Sequence, residues 1–275
     1  MKTTNYPSDL TDAQFARIES LLPAAKPGGR PREVNLHNIV NAILYVNRTG
    51  CQWRALPKDY GPWSTAYDYF RKWRRDGIWE QINEALREQV RKKAGRRGSP
   101  RSAYLDSQAV KSGGAGGETG YDAGKKISGR KRHIVVDSLG LLLVVMVTSA
   151  SVLDAVAAED LLALLPLARL PRLRVIWADQ AYRRDHLFEW VAFWGQYRLE
   201  IVGRPEGVVG WIHLPKRWVV ERTFGWLVRY RRHSRDYERL PQSSEAMIYV
   251  SMINVMLHRL APERKRYPFR YRRAA

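Results

Sequence analysis

The chain has 275 residues, 45% hydrophobic and 27% charged, a folding composition with room for one large domain and a small one. Its formal net charge of +20 points to a polyanionic partner such as nucleic acid. The single cysteine, Cys51, excludes an internal disulfide and any cysteine-based zinc cluster, and the longest apolar run, Leu141–Val147, is far short of a membrane span. The start, MKTTNYPSDL, has no apolar core of the kind a secretory signal needs, so a cytoplasmic protein with no membrane partner is expected. The charge is uneven. Residues 1–100 hold 18 Lys and Arg against 10 Asp and Glu, and residues 214–275 hold 15 against 5. The middle is nearly balanced.

Thr11 followed by Gln14 is a capping-box start, with Phe15, Ile18, Leu21 and Leu22 on one face of a short helix. Residues 23–31 read as a linker. A second helix is expected from about Val34 to Asn47, with Leu36, Ile39, Ile43 and Val46 on one face and Gly50 at its end. After an aromatic turn, Ser64 can cap a third helix, STAYDYFRKWRR, closed by Asp76 and Gly77. A fourth runs through Ile78, Ile82, Leu86 and Val90. Two helices joined by a turn, the later one carrying Arg71, Lys72, Arg74 and Arg75, fit a helix-turn-helix DNA reader. An ordinary bundle with a basic exposed face fits equally well, and the connecting turn is longer than the usual three or four residues.

GRRGSP at 95–100 reads as a linker between a helical domain, 1–94, and a second domain, 101–262, which a basic tail, 263–275, follows. From residue 101 the period shortens. AYLDSQAV is a short strand, SGGAGGETGYDAGKK a Gly-rich loop, and RKRHIVVDS and LLLVVMVTS two strands of a hairpin through Leu139 and Gly140. A helix over 157–170, the strand LRVIWAD, a helix over 184–195, the strand YRLEIVG, a long basic helix over 216–233 and a final helix over 243–260 follow. The order β-β-β-α-β-α-β-α makes an α/β fold, a mixed sheet with helices on both faces. The Gly-rich loop lacks the Gly-Lys-Ser/Thr ending of a phosphate loop, so no nucleotide cofactor is expected.

Asp106 (AYLDSQAV), Asp179 (VIWADQAY) and Glu221 (RWVVERTFGW) each lie against Val, Ile, Leu, Tyr or Trp. A carboxylate removed from water costs several kcal/mol unless it is paired or holds a metal. Asp106 and Asp179 fall at or near the ends of the first and fourth strands, and a right-handed crossover can lay those strands side by side. Both acids would then stand at the carboxyl edge, where such sheets place their sites. Hard oxygen donors suit Mg²⁺ or Mn²⁺, and two such ions can serve both oxygens of a displacement at phosphorus. Other acids have simpler roles: Asp137 in the DSLG turn, Asp154 as a helix cap, Asp122 and Asp185 as loop and cap residues. For Glu221, a plain helix pair with Arg217 remains an alternative to metal binding.

At these residues the chain resembles bacterial insertion-sequence transposases of the DDE type, insertion-sequence family five. LTDAQFARIESLLP, AILYVNRTGCQWRALPKDYGPWSTAYDYFRKWRRDGIWE, YLDSQAVK, GYDAGKKISGRKRHIVVDSLGLLL, ADQAY and KRWVVERTFGWLVRYRR carry the resemblance over almost the whole chain. It implies an RNase H-like catalytic domain and a Mg²⁺-dependent triad that falls on Asp106, Asp179 and Glu221. It also implies a Tyr-Arg-Glu-Lys signature around the last acid. Arg217 and Glu221 fit that signature, whereas Leu214 stands at the Tyr position and Val228, beside Arg229, at the Lys position. The expected activity is cutting of DNA at terminal inverted repeats and joining of the 3′-hydroxyl to target DNA, in a dimer or larger complex. Arg217, Arg229, Lys125, Lys126, Arg130, Lys131 and Arg132 are the expected DNA contacts beside the helical region. A catalytically silent DNA-binding protein and an RNase H-like nuclease or resolvase are the competing readings.

Overall fold

The computed structural model describes residues 6–25, 28, 32–203 and 218–262. Among these, no helix is long and apolar enough to cross a membrane. Helix α1 (Asp12–Phe15) opens on the expected capping box: Gln14 N–H donates to Thr11 Oγ1 at 3.3 Å and Thr11 N–H to Gln14 Oε1 at 3.0 Å. Helix α2 (Leu36–Thr49) is capped by the Asn35 side chain and stops at Gly50, whose φ of 73° a side chain would resist. Helix α3 (Trp63–Arg75) buries Ala66, Phe70 and Trp73, and α4 (Ile78–Lys93) follows the left-handed Gly77. Pro62, rather than Ser64, occupies the N-cap of α3. Residues 50–62 between α2 and α3 hold two 3₁₀ turns, Trp53–Ala55 and Lys58–Tyr60. That connection is longer than a helix-turn-helix turn.

The sheet contains β1 (Ser102–Lys111), β2 (Gly120–Asp122), β3 (Ile127–Asp137), β4 (Leu142–Ser149), β5 (Val175–Ala178) and β6 (Arg198–Ile201). Its order is β2-β3-β1-β5-β6, with β4 also on β3. β1, β5 and β6 run parallel, and β3 is antiparallel to β1, β2 and β4. This is the mixed α/β sheet expected from the element order. Helix α5 (Asp154–Ala163) leads to β5, α6 (Asp185–Trp194) to β6, and α7 (Trp218–Leu227) and α8 (Pro241–Leu260) close the described chain.

Three boundaries differ from the sequence reading. The Gly-rich loop contributes β2, because β3 extends far enough to offer its free edge there. Helix α5 ends at Ala163, ahead of Pro166, which has no N–H for a continuing helix, and a 3₁₀ turn at Leu167–Arg169 follows. Helix α7 ends at Leu227, so the basic run continues as a separate turn, Arg231–His233.

Each face of the sheet has its own core. Ala103, Leu105, Val135, Val144, Ile176 and Ala178 pack under α5 and α6. On the other face, Ile134, Val136, Leu142, Val145 and Val147 join one continuous cluster with α2, α3, α4, α7 and α8. Polar links cross it. Asn83 Nδ2 donates to Leu142 O at 3.0 Å, and Asn47 Nδ2 to Met247 O at 3.1 Å and to Ser251 Oγ at 2.9 Å. Residues 95–100 therefore mark a change of secondary structure and do not divide the core. The N-terminal helices are a layer on the sheet, because α8 is buried on nearly all sides and needs them as cover.

Candidate active site

The last parallel pair between β1 and β5 is Tyr104 with Trp177. Two residues beyond it come Asp106, still on β1, and Asp179, just past β5. Strand alternation puts Asp106 on the face of Tyr104, which packs on the α7–α8 side, while Ala103 and Leu105 face α5 and α6. Asp179 is the first residue past β5, as expected. Asp106 is not a strand end: β3 is long enough to hold β1 extended to Lys111. The two acids line one narrow cleft of about 10 Å³ with Tyr104, Trp177, Val202 and Val220.

Backbone amides fix both carboxylates. Ser107 N–H donates to Asp106 Oδ1 at 2.7 Å, and Ala181 N–H donates to Asp179 Oδ1 at 2.9 Å, which caps the 3₁₀ turn Gln180–Tyr182. Tyr182 from that turn is buried, and its phenol pKa is raised well above the usual value by burial first, then by the charges of Asp106, Asp154 and Asp179. The sequence reading missed Tyr182. Its signal was an aromatic three residues past a strand-end acid.

Glu221 stands in the first turn of α7 and is exposed. Its neighbour Val220, not Glu221, lines the cleft. Among the described residues no three His, Cys, Asp or Glu side chains gather closely enough to hold a metal ion. The fold thus brings Asp106 and Asp179 to one cleft, and Glu221 is not among the residues that line it. Helix α7 is tied to the β3–β4 turn, where Thr223 Oγ1 donates to Gly140 O at 2.8 Å. Gly140 has φ of 76°, and a Cβ there would come within 2.8 Å of Thr223 Oγ1.

The basic residues divide. Arg71 and Arg75 are exposed and Lys72 and Arg74 half-buried, with the Arg74 guanidinium donating to Ser243 Oγ. Lys125 and Lys126 are exposed beside β2, and Arg229 is exposed past α7. Arg130, Lys131 and Arg132 do not line a surface path. Arg130 is 1% exposed and donates to the carbonyls of Glu118, Glu238 and Arg239, at 2.9, 2.7 and 2.7 Å. Arg132 donates to His233 O and Arg235 O, at 3.0 and 3.2 Å. Lys131 Nζ lies between Asp122 and Asp154, at 3.4 and 3.2 Å. Their charge is internal because β3 is central and covered on both faces. Arg217, and with it any pair with Glu221, lies outside the described residues.

The remaining acids have structural partners. Asp137 accepts from Leu139 N and Leu141 N and pairs with Arg91 at 2.6 Å. Asp154 does not cap α5; it accepts from Ser107 Oγ at 2.9 Å and faces Lys131.

Residues 10–83 match the family described as putative transposase of IS4/5 family, and residues 98–256 match the transposase DDE domain family. The chain belongs to the DDE transposase family. Among relatives, it is 35% identical over 118 residues to a putative transposase for insertion sequence element IS402 of Burkholderia cepacia, covering 40% of this chain and 54% of that protein. It is 32% identical over 117 residues to a 16.2 kDa protein of the same element, covering 40% of this chain and 78% of that one. Among solved structures, a Mos1 transposase paired-end complex with left transposon end aligns at 10% identity and a TM-score of 0.25, over 67% of this chain and 64% of that one.

The donor chemistry of this DDE transposase's cleft fits a hard divalent cation. Two carboxylates, each orientated by a backbone amide, face one narrow space. Asp106 and Asp179 would hold Mg²⁺ or Mn²⁺ there.

Proposed function

We propose that the chain cuts DNA at the ends of an insertion sequence and joins the freed 3′-hydroxyl to target DNA. The observation that carries this reading is that Asp106 of β1 and Asp179, the first residue past the neighbouring parallel strand β5, line one cleft. A divalent ion bound there would supply charge neutralisation and activation of an attacking oxygen at phosphorus. Asp106 and Asp179 would hold that ion, their carboxylates orientated by Ser107 N–H and Ala181 N–H. Val202, Val220 and Trp177 narrow the cleft and limit water. Glu221, next in α7 to the cleft-lining Val220, is the third carboxylate of the proposed set. Lys125, Lys126, Arg71, Arg75 and Arg229 supply phosphate contacts, which carry most of the affinity. The working complex is a dimer or larger, in the cytoplasm.

The lack of a three-carboxylate cluster among the described residues favours a second reading, a chain that binds DNA without cutting it. One experiment separates the two: Asp106→Asn, Asp179→Asn and Glu221→Gln variants assayed on element-end DNA with Mg²⁺. Cleavage by the unaltered chain, with retained binding and loss of at least ~10³-fold in rate for each variant, supports the first reading. Full cleavage by a variant removes that residue from the site, and absence of cleavage in the unaltered chain leaves the second reading.

A further inference from the structure

A cavity of about 410 Å³ opens where the end of α7 meets the ends of α2 and α8. Arg48 of α2, Trp226 of α7, Arg229 and Tyr230 just beyond it, and His258 and Arg259 of α8 line it. No Asp or Glu among the described residues does. Three segments far apart in sequence bring their cations to one concavity, so the fold, not a charge run, builds it.

Aromatic rings hold the guanidinium groups in place. Arg48 lies 5.2 Å from the centre of the Tyr230 ring and its Nη1 donates to Arg229 O at 3.0 Å. Arg259 lies 4.3 Å from the Trp226 ring, and Arg222 lies 5.0 Å from the same ring. Two guanidinium groups on one indole repel. The Arg259 pKa is lowered by burial first and then by the Arg222 charge. The acid that both feel, Asp137, is fully buried and held by Arg91 at 2.6 Å. Like charges concentrated in this way oppose folding unless an anion compensates them. Planar guanidinium forks fixed from several sides match the oxygens of a phosphate group.

We propose that this cavity is a phosphate site that seats a backbone phosphate of the DNA strand lying along α7. It rests on the transposase reading above for the identity of its ligand. Helix α7 spans ~15 Å at 1.5 Å per residue, so a phosphate at its end lies roughly four base steps from the carboxylate cleft at its start. The site would therefore measure the distance from the cut to a fixed point on the same strand.

Two assays on the full chain test this, with Arg229→Gln and Arg259→Gln as variants. Lys92→Gln, which removes an equal charge from the exposed side of α4, is the control. In the first, thermal unfolding is followed in sodium chloride and in sodium pyrophosphate at equal ionic strength. Pyrophosphate should raise the midpoint of the unaltered chain and of Lys92→Gln, and raise it much less in the two pocket variants. An equal rise in all four overturns the phosphate site. In the second, affinity for duplex DNA is titrated with salt. The pocket variants should bind ~10-fold more weakly whatever the sequence, with a log–log salt slope reduced by about 0.9 per lost phosphate contact, and Lys92→Gln should change neither. A pyrophosphate effect without that slope change would overturn DNA as the source of the phosphate. If the unaltered chain bound no DNA, the transposase reading would fail and the pyrophosphate arm would still decide the site. Arg229 is exposed and its variant should fold, so it decides the outcome if Arg259→Gln does not fold.

Discussion

Asp106 and Asp179 line one cleft, each two residues beyond the Tyr104–Trp177 pair that ends the parallel register of β1 and β5. Nothing local brings them together. The crossover through α5 does, by returning the chain to the free edge of β1. Each then has its carboxylate orientated by a nearby backbone amide.

That arrangement predicts metal-dependent stability. Mg²⁺ at a hundred times its dissociation constant adds ~2.7 kcal/mol, which raises the unfolding midpoint by several degrees in a chain of this size. Asp106→Asn and Asp179→Asn should each abolish the rise, whereas Glu221→Gln, away from the cleft, should keep part of it. Calorimetry with and without Mg²⁺ checks this, and an undiminished rise in either aspartate variant would sink the two-aspartate site.

The Arg91–Asp137 pair predicts a large structural effect. Its side chains are 5% and 0% exposed and their atoms 2.6 Å apart. Removing one partner strands a buried charge, at a cost of ~3–5 kcal/mol. Asp137→Asn should lower the urea midpoint accordingly, and Arg91→Met with Asp137→Asn should recover part of the loss. A single-variant loss under ~1 kcal/mol would contradict this reading.

Glu245 predicts a pH dependence. Burial raises its pKa from 4.5 to about 7, the Val147 N–H opposes the rise, and Glu80 adds to it. Because the folded pKa is the higher one, its stabilising contribution is complete below about 4.5 and is lost as pH climbs through about 7. Glu245→Gln preserves an acceptor for Val147 N–H and should flatten that decline, with a gain on the order of 2–3 kcal/mol at pH 8. Urea unfolding at pH 5, 6, 7 and 8 measures it, and parallel curves for the two chains would exclude Glu245 as the cause.

The split among the basic residues predicts opposite phenotypes. Arg130→Gln and Arg132→Gln strand buried carbonyls and should lower the thermal midpoint by several degrees. Arg71→Gln and Arg75→Gln should leave the midpoint within about a degree and weaken DNA binding severalfold. Paired melting and DNA-binding curves distinguish the groups. Weakened DNA binding by a fully stable Arg130→Gln would return Arg130 to the DNA surface.

Much of this architecture was legible in local pattern. The capping box at Thr11 and Gln14, the stop at Gly50, the DSLG turn and the alternation of β-strands with helices follow from short-range physics that packing did not overturn. The convergence of Asp106 and Asp179 on one cleft was legible too, because the strand order lets a right-handed crossover lay their strands side by side. Glu221 was less so, since helix periodicity says which residues share a face but not which face meets the sheet. Here Val220 lines the cleft and Glu221 is exposed.

The sequence by itself determined the type of most elements, the basic excess and the chemistry available at Asp106 and Asp179, because these depend on residue identity and near neighbours. Tertiary structure decided which charges are external. Arg130, Lys131 and Arg132 read like a solvated basic run, yet β3 is a central strand and each cation is enclosed by partners from elsewhere in the chain. Arg48 and Arg259 showed no sign of belonging together, yet α2 and α8 end at the same cavity. Burial and convergence depend on contacts between residues far apart in the chain, which composition and spacing do not encode.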